Sequence, residues 1–334
     1  MQWNSFRQLR RHQRQPRINL AAWPMPRLIL NADDFGLTRG INRAIAELHR
    51  AGAITSATLM ANGPAFADAV EVARAHPGLG VGCHVVLTDG IPVSHPESIP
   101  SLLGADGKTF RPTLFDFIQA LLRGTIREDD IEREALAQLQ KLQRAGIDVT
   151  HLDTHKHTHL FPAVARPLLH LAERCSIGAI RNPFEPSSAR ALDHASIVRR
   201  LQIHLLNRFE PAFTKIPQIR HARVLTTQGT IGISATGNLN KITLQGALNT
   251  LPPEPDAVYE LCCHPGYNDA DLDKVTTRLR THRDIEREAL LNLIPRLTTQ
   301  PGGPTLIHYG NLGSFGTLRA TGQFTPNTGF ERII

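Results

Sequence analysis

Short apolar runs alternate with amphipathic stretches along most of this chain. Runs at 28–31, 57–60, 79–85, 149–153, 179–181, 257–262 and 305–309 have the length of buried strands. Val224 marks a further weak strand. Between them the apolar positions recur at helical spacing. Thr38 is placed to cap a helix over 38–51, with Ile41, Ile45 and Leu48 on one face. Further helices are predicted at 64–75, with Pro64 in the first turn, and at 127–145, closed by Gly146. Others are predicted at 163–174, 240–250 and 283–293. Residues 88–110, rich in Gly, Pro and Ser, read as a long loop, and 185–222 as an insertion with weak helical signal.

Seven or eight βα units in roughly 290 residues place the chain in the α/β class. The architecture expected is a (β/α) barrel, a distorted TIM-like barrel with seven or eight strands. A doubly wound open sheet is the second choice. Either puts active residues at the C-terminal ends of the strands. The barrel domain is expected over 25–312. Residues 1–24 have no sustained period and read as a disordered basic extension, with Met25 a natural start. Residues 313–334 read as a mobile tail.

Composition narrows the class. The chain is 41% hydrophobic and 20% charged, as in ordinary soluble domains. No apolar run approaches the ~18 residues of a membrane span. The Arg-rich start lacks the apolar core of a secretory signal, although a mitochondrial presequence shares its look. Net charge is +7, but Arg7, Arg10, Arg11, Arg14 and Arg17 supply five of those charges. The rest of the chain is near neutral and few residues are aromatic, so no nucleic-acid partner is expected. Cys83, Cys175, Cys262 and Cys263 form no CxxC pair, which points to reduced cysteines and a cytoplasmic setting.

The chemistry gathers at the strand ends. The first strand runs into Asp33-Asp34. Adjacent carboxylates are costly to bury unpaired, and one holding a cation while the other takes a proton would offset that cost. Alone, such a pair is commonly a cap or loop feature. The third strand ends at His84, a residue type more often structural than ligating. The fourth carries His151, Asp153, His155, His157 and His159 at alternating positions. If extended, all five share one face. Imidazole with carboxylate suits zinc and other transition metals, yet only one or two of these histidines can reach a single ion. The penultimate strand ends in Cys263-His264-Pro265-Gly266, where His264 is placed to be a fixed acid or base.

The motifs ADDFG, GCHVVLTDG, HLDTHKHTHLFP and CHPGY, in this order, resemble the YdjC-like carbohydrate deacetylases. That family includes chitooligosaccharide and hopanoid-associated deacetylases. TSATLMANGPAFADAV also fits the family pattern, and the resemblance covers about residues 27–310. It implies a deacetylase-type barrel and a divalent cation. Mg²⁺ is the first choice on resemblance, with Zn²⁺ the alternative that an Asp-His-His set also suits. It further implies Asp33 as proton acceptor, Asp34, His84 and His155 as metal ligands, and His264 as general acid. Asp33 and His264 are expected on opposite sides of a scissile amide. Thr154 replaces a frequent serine. Asp153, His157, His159, Arg181 and Tyr267 are assigned to substrate contact.

The activity this implies is metal-dependent removal of the acetyl group from an N-acetylated amino sugar in an oligosaccharide or glycoconjugate. Homodimerisation is left open. A metal-dependent phosphoesterase is the main rival, with Arg181 and Lys156 as its only obvious phosphate clamp. A non-catalytic sugar- or metal-binding protein is the other rival, and it would need neither Asp33 nor His264.

Overall fold

The computed structural model describes residues 25–186, 188–189 and 205–315. The extension 1–24 and residues 316–334 of the tail lie outside them. Eight parallel strands form one sheet: β1 (Arg27–Phe35), β2 (Ser56–Leu59), β3 (Gly80–Val85), β4 (Val149–Thr154), β5 (Ala179–Ile180), β6 (Gly229–Ile231), β7 (Val258–Cys263) and β8 (Leu306–Ile307). Their order is β5-β4-β3-β2-β1-β7-β6, with β8 also paired to β1. β7 occupies one edge of β1 from Arg27 to Ala32. The other edge is therefore shared, by β8 at Leu28–Ile29 and by β2 from Asn31 onward.

The sheet curls into the expected distorted barrel, but its seam is irregular. β5 and β6 share no ladder. An isolated Ala179–Leu225 bridge and the bond from Thr230 N–H to Phe184 O join those ends instead. Val224 was expected in a strand, yet only its neighbour Leu225 bridges, and the strand forms at Gly229–Ile231.

Helices cover the sheet: α1 (Arg39–Arg50), α2 (Phe66–Ala75), α3 (Leu114–Leu122), α4 (Glu128–Arg144), α5 (Pro162–Arg174), the short α6 (Glu210–Thr214) and α7 (Pro217–Arg220), then α8 (Lys241–Asn249) and α9 (Thr281–Thr298). The Thr38 hydroxyl accepts from Ile41 N–H, so the cap of α1 is made as expected. Ile41, Ile45 and Leu48 are buried on its inner face. α4 begins with Glu128, Asp129 and Asp130 and ends near Lys141 and Arg144, each set complementing the helix dipole. Its inner face also carries polar anchors. Glu134 accepts from Val93 and Ser94 N–H, and Gln138 exchanges two bonds with the Val86 backbone. These bonds pin the loop that follows β3. Helix α3 is absent from the sequence reading, although Thr113 caps it by accepting from Asp116 N–H.

Candidate active site

β1 brings Asp33 and Asp34 to the open end of the barrel. Its register with β2 slips between Ala32 and Phe35, and Asp34 takes a left-handed φ of 63°. A local irregularity of this kind re-aims side chains, so both carboxylates point inward instead of alternating. Gly36 follows at φ 89°, where a Cβ would meet Leu59 Cδ1 at 2.9 Å. Asp89, Lys156 and His157 are also left-handed and flank the same mouth. Such strain collects at functional sites.

Each aspartate has its own buried arginine. Asp33 receives Arg181 Nη1 at 2.9 Å and Nη2 at 2.6 Å. It also accepts from Asn31 Nδ2 at 3.0 Å and Thr58 Oγ1 at 3.3 Å. Burial works to raise its pKa, but the Arg181 charge holds it well below the usual carboxylate range. Asp34 Oδ2 receives Arg283 Nη2 at 2.6 Å, and its pKa is likewise held low against burial.

Asp34 Oδ1 lies 3.7 Å from His84 Nε2 and 3.2 Å from His155 Nδ1. His84 Nδ1 is fixed by Asp153 Oδ1 at 2.7 Å. Burial disfavours the charged imidazole, yet Asp153, with Asp33 and Asp34 behind it, outweighs that and pushes the His84 pKa up to about 9. The pocket therefore calls for positive charge between these side chains. Asp34 Oδ1 and His84 Nε2 are both buried without a well-formed hydrogen bond. Four buried carboxylates, Asp33, Asp34, Asp153 and Glu260, share only the guanidiniums of Arg181 and Arg283. With Glu260, whose pKa burial raises, counted as neutral, the two guanidiniums leave one negative charge, which a protonated His84 or a bound cation would balance. Asp34, His84 and His155 thus fit a divalent cation. An aspartate backing a histidine is the usual support for such a ligand.

Two other groups of side chains come within reach of one ion: Asp33, His84 and Asp153, and Asp33, His157 and Cys262. The first is already saturated by Arg181 and by the His84–Asp153 bond. In the second, Arg181 ties up Asp33, and burial raises the Cys262 thiol well above its ordinary range. The Asp34 set is the better site.

His264 follows β7, with Nε2 3.8 Å from Asp33 Oδ2. The two groups therefore do not stand on opposite sides of an amide in this arrangement, because a 3.8 Å gap cannot hold one. Burial lowers the His264 pKa despite Asp33 beside it.

Several expected substrate contacts take other roles. Arg181 is fully buried and pairs with Asp33, Asp153 and Glu260. Asp153 is fully buried behind His84. Lys156, the other cation of the phosphate clamp, faces Asp89 at 3.7 Å. Tyr267 donates to Glu47 Oε2 at 2.7 Å and lies between the guanidiniums of Arg43 and Arg287. The shared face expected for residues 151–159 ends at Thr154. There β4 gives way to a turn over His155–Leu160 with left-handed Lys156 and His157. His159 is buried, its Nδ1 bonded to Thr154 Oγ1 at 2.7 Å. Burial and Arg181 push its pKa down to about 3, so it is neutral. His157 Nδ1 is buried without a hydrogen-bond partner near Asp33. Inside the barrel, Gly82 leaves room for the His151 ring, 2.4 Å from where a Cβ would stand, and that ring stacks on Tyr309. The sequence reading missed Asn31, Thr58, Glu260, Arg283, Glu286 and Tyr309. Nearness to a strand-end motif could have flagged Asn31 and Glu260, whereas Thr58, Arg283, Glu286 and Tyr309 lie away from those motifs in the chain.

The profile of the family described as YdjC-like protein matches residues 27–294. A protein of Brevibacillus brevis named carbohydrate deacetylase is 43% identical over 172 residues, 52% of this chain and 65% of that relative. One of Geobacillus stearothermophilus with the same name is 45% identical over 151 residues, 45% of this chain and 58% of that relative. The matched segments thus span less than two thirds of either relative. A crystal structure from Enterococcus faecalis, provisionally named a cellobiose-phosphate cleavage protein, superimposes with a TM-score of 0.68 at 24% identity. It covers 86% of this chain and 99% of that one, and it supports the fold alone.

Proposed function

The chain belongs to the YdjC-like protein family, and from that premise we propose that it is a metal-dependent carbohydrate N-deacetylase. Its substrate is an N-acetylated amino sugar of the N-acetylglucosamine type, in an oligosaccharide or glycoconjugate, and its products are acetate and the free amine. The observation that carries this reading is the convergence of Asp34, His84 and His155 beside Asp33 and His264. The name carried by the Brevibacillus and Geobacillus relatives supports it.

Asp34, His84 and His155 would hold the ion, with Mg²⁺ the first choice and Zn²⁺ the alternative. When bound, the ion polarises an amide carbonyl and lowers the pKa of a water. Asp33 is kept ionised by Arg181 and accepts the proton from the attacking water. So weak a base holds the proton only briefly. His264 Nε2, 3.8 Å away, takes it and delivers it to the departing nitrogen. Asp153 keeps His84 oriented, and Arg181 keeps Asp33 and Asp153 in place. A cytoplasmic setting accords with four free cysteines.

The test is a panel of N-acetylated sugars and phosphorylated sugars given to the metal-loaded protein, with acetate and phosphate both assayed. Acetate release from an N-acetylglucosamine oligomer is the expected outcome. Phosphate release without acetate would overturn the reading in favour of a phosphoesterase. Binding without either product would leave a sugar-binding protein.

A further inference from the structure

α9 reaches the open end of the barrel with two side chains one turn apart. Arg283 and Glu286 are each 1% exposed. Residues three apart on a helix share a face, and this face meets the turn after β7. β7 ends at Cys263, so His264 is the first residue there without a ladder partner. Its backbone groups are buried and must be satisfied some other way. Glu286 Oε2 accepts the His264 N–H at 2.6 Å. Arg283 Nη1 reaches the His264 carbonyl at 3.4 Å, while Nη2 donates to Asp34 Oδ2 at 2.6 Å. Arg283 is itself steadied by its Nε bond to Leu279 O at 3.0 Å. Gly266 N–H then bonds Arg283 O at 3.2 Å, and a Cβ on Gly266 would stand 3.0 Å from Arg283 Cδ and Ile41 Cγ1. The turn is held closely on the helix.

We propose that Arg283 and Glu286 form a positioning clamp that fixes His264 relative to Asp34, so that the proton donor and the ligand set keep one geometry. This rests on the reading of His264 as the proton donor. Neither residue touches the reacting atoms. Glu286 acts through the His264 backbone, and Arg283 acts through both His264 and Asp34. Misplacing a catalytic group by about 1 Å can cost up to ~10²-fold in rate.

A double-mutant cycle tests the clamp. Glu286→Ala and Glu286→Gln are made with His264 intact and with His264→Ala, and kcat, KM and metal content are measured on each. Glu286→Ala is expected to lower kcat by roughly 10- to 100-fold with KM and metal content unchanged. Glu286→Gln restores most of that loss, because the amide oxygen still accepts the N–H. In the His264→Ala background Glu286→Ala lowers kcat little further, since the imidazole it positions is gone. Equal losses in both backgrounds, or a Gln variant as impaired as Ala, would overturn the clamp and leave a structural brace. Should Glu286→Ala fail to fold, Glu286→Leu, which keeps the volume and lacks the acceptor, takes its place.

Hydrogen exchange at the His264 amide separates this proposal from the functional reading. A wild-type protein that releases no acetate overturns the deacetylase assignment alone. The amide should still be protected in the wild type and in Glu286→Gln, and open in Glu286→Ala. Fast exchange in the wild type would sink the clamp whatever the enzyme does.

Discussion

Asp33 and Asp34 are chain neighbours held by different partners. Arg181 engages both oxygens of Asp33, whereas Arg283 takes only Oδ2 of Asp34 and leaves Oδ1 facing His84 and His155. Asp33→Asn is therefore expected to keep bound metal while losing turnover by ~10²–10⁴-fold, the usual worth of a general base. Measuring kcat and metal content on the same sample checks this, and near-native turnover would remove Asp33 from its role. Glu286 offers a pH test. Burial raises its pKa to about 7 from an ordinary 4.5. The folded state then binds more protons than the unfolded state between those values, so its contribution to stability falls as pH rises from about 4.5 to 7. Glu286→Gln removes that titration. The melting temperature of the variant minus that of the wild type should grow across this window, and a constant difference would contradict the shift.

Among the elements, α1 is the one whose start is most legible. Thr38 has extended backbone angles and its hydroxyl accepts from Ile41 N–H. Thr38→Ala should lower stability by about 1 kcal/mol, within the ~0.5–2 kcal/mol range of such caps. Denaturant unfolding measures this directly, and an unchanged midpoint would mean the cap adds nothing. β4 and the turn after it illustrate the opposite case. A period of two was visible from His151 to His159, but the chain stays extended only to Thr154. Beyond that point Lys156 and His157 are left-handed, and His155, His157 and His159 part company in direction. Two-residue alternation is a pattern of letters until a neighbouring strand supplies a ladder, and β4 is paired by β5 only as far as Leu152 and by β3 only as far as Thr154.

At the scale of the whole molecule, the site is assembled from β1, β3, β4, β7, α9 and the residue after β5. Bringing together its buried carboxylates carries a desolvation cost of several kcal/mol per ion, on the order estimated for buried charges. An ion at Asp34, His84 and His155 would bind the folded state alone and so add to its stability. Exhaustive chelation should lower the melting temperature, and adding back Mg²⁺ or Zn²⁺ should restore it, more strongly for the metal that fits. Unchanged melting after complete metal removal, verified by elemental analysis, would argue that no resident ion braces this cluster. No helix among the described residues is long and apolar enough to cross a membrane.

The βα alternation, the cap at Thr38 and the strand-end motifs were present in the sequence, because each is written in contiguous residues through periodicity or turn chemistry. Most strands and the longer helices follow from that local information, and so does the placing of Asp33, Asp34, His84 and His264 at strand ends. The partners of those residues were not legible. Arg181 lies 148 positions from Asp33, and Arg283 lies 249 from Asp34. No local pattern distinguishes a buried guanidinium from a surface one. The tertiary structure decided that Arg181 is buried against Asp33, Asp153 and Glu260, that Tyr267 braces a turn, and that Asp33 and His264 face each other. For Arg181 and Asp33 the physical reason is burial at the barrel's open end, which drives charged groups to find partners, and in all three cases which partner is found depends on how the strands curl, not on what stands beside the residue in the chain.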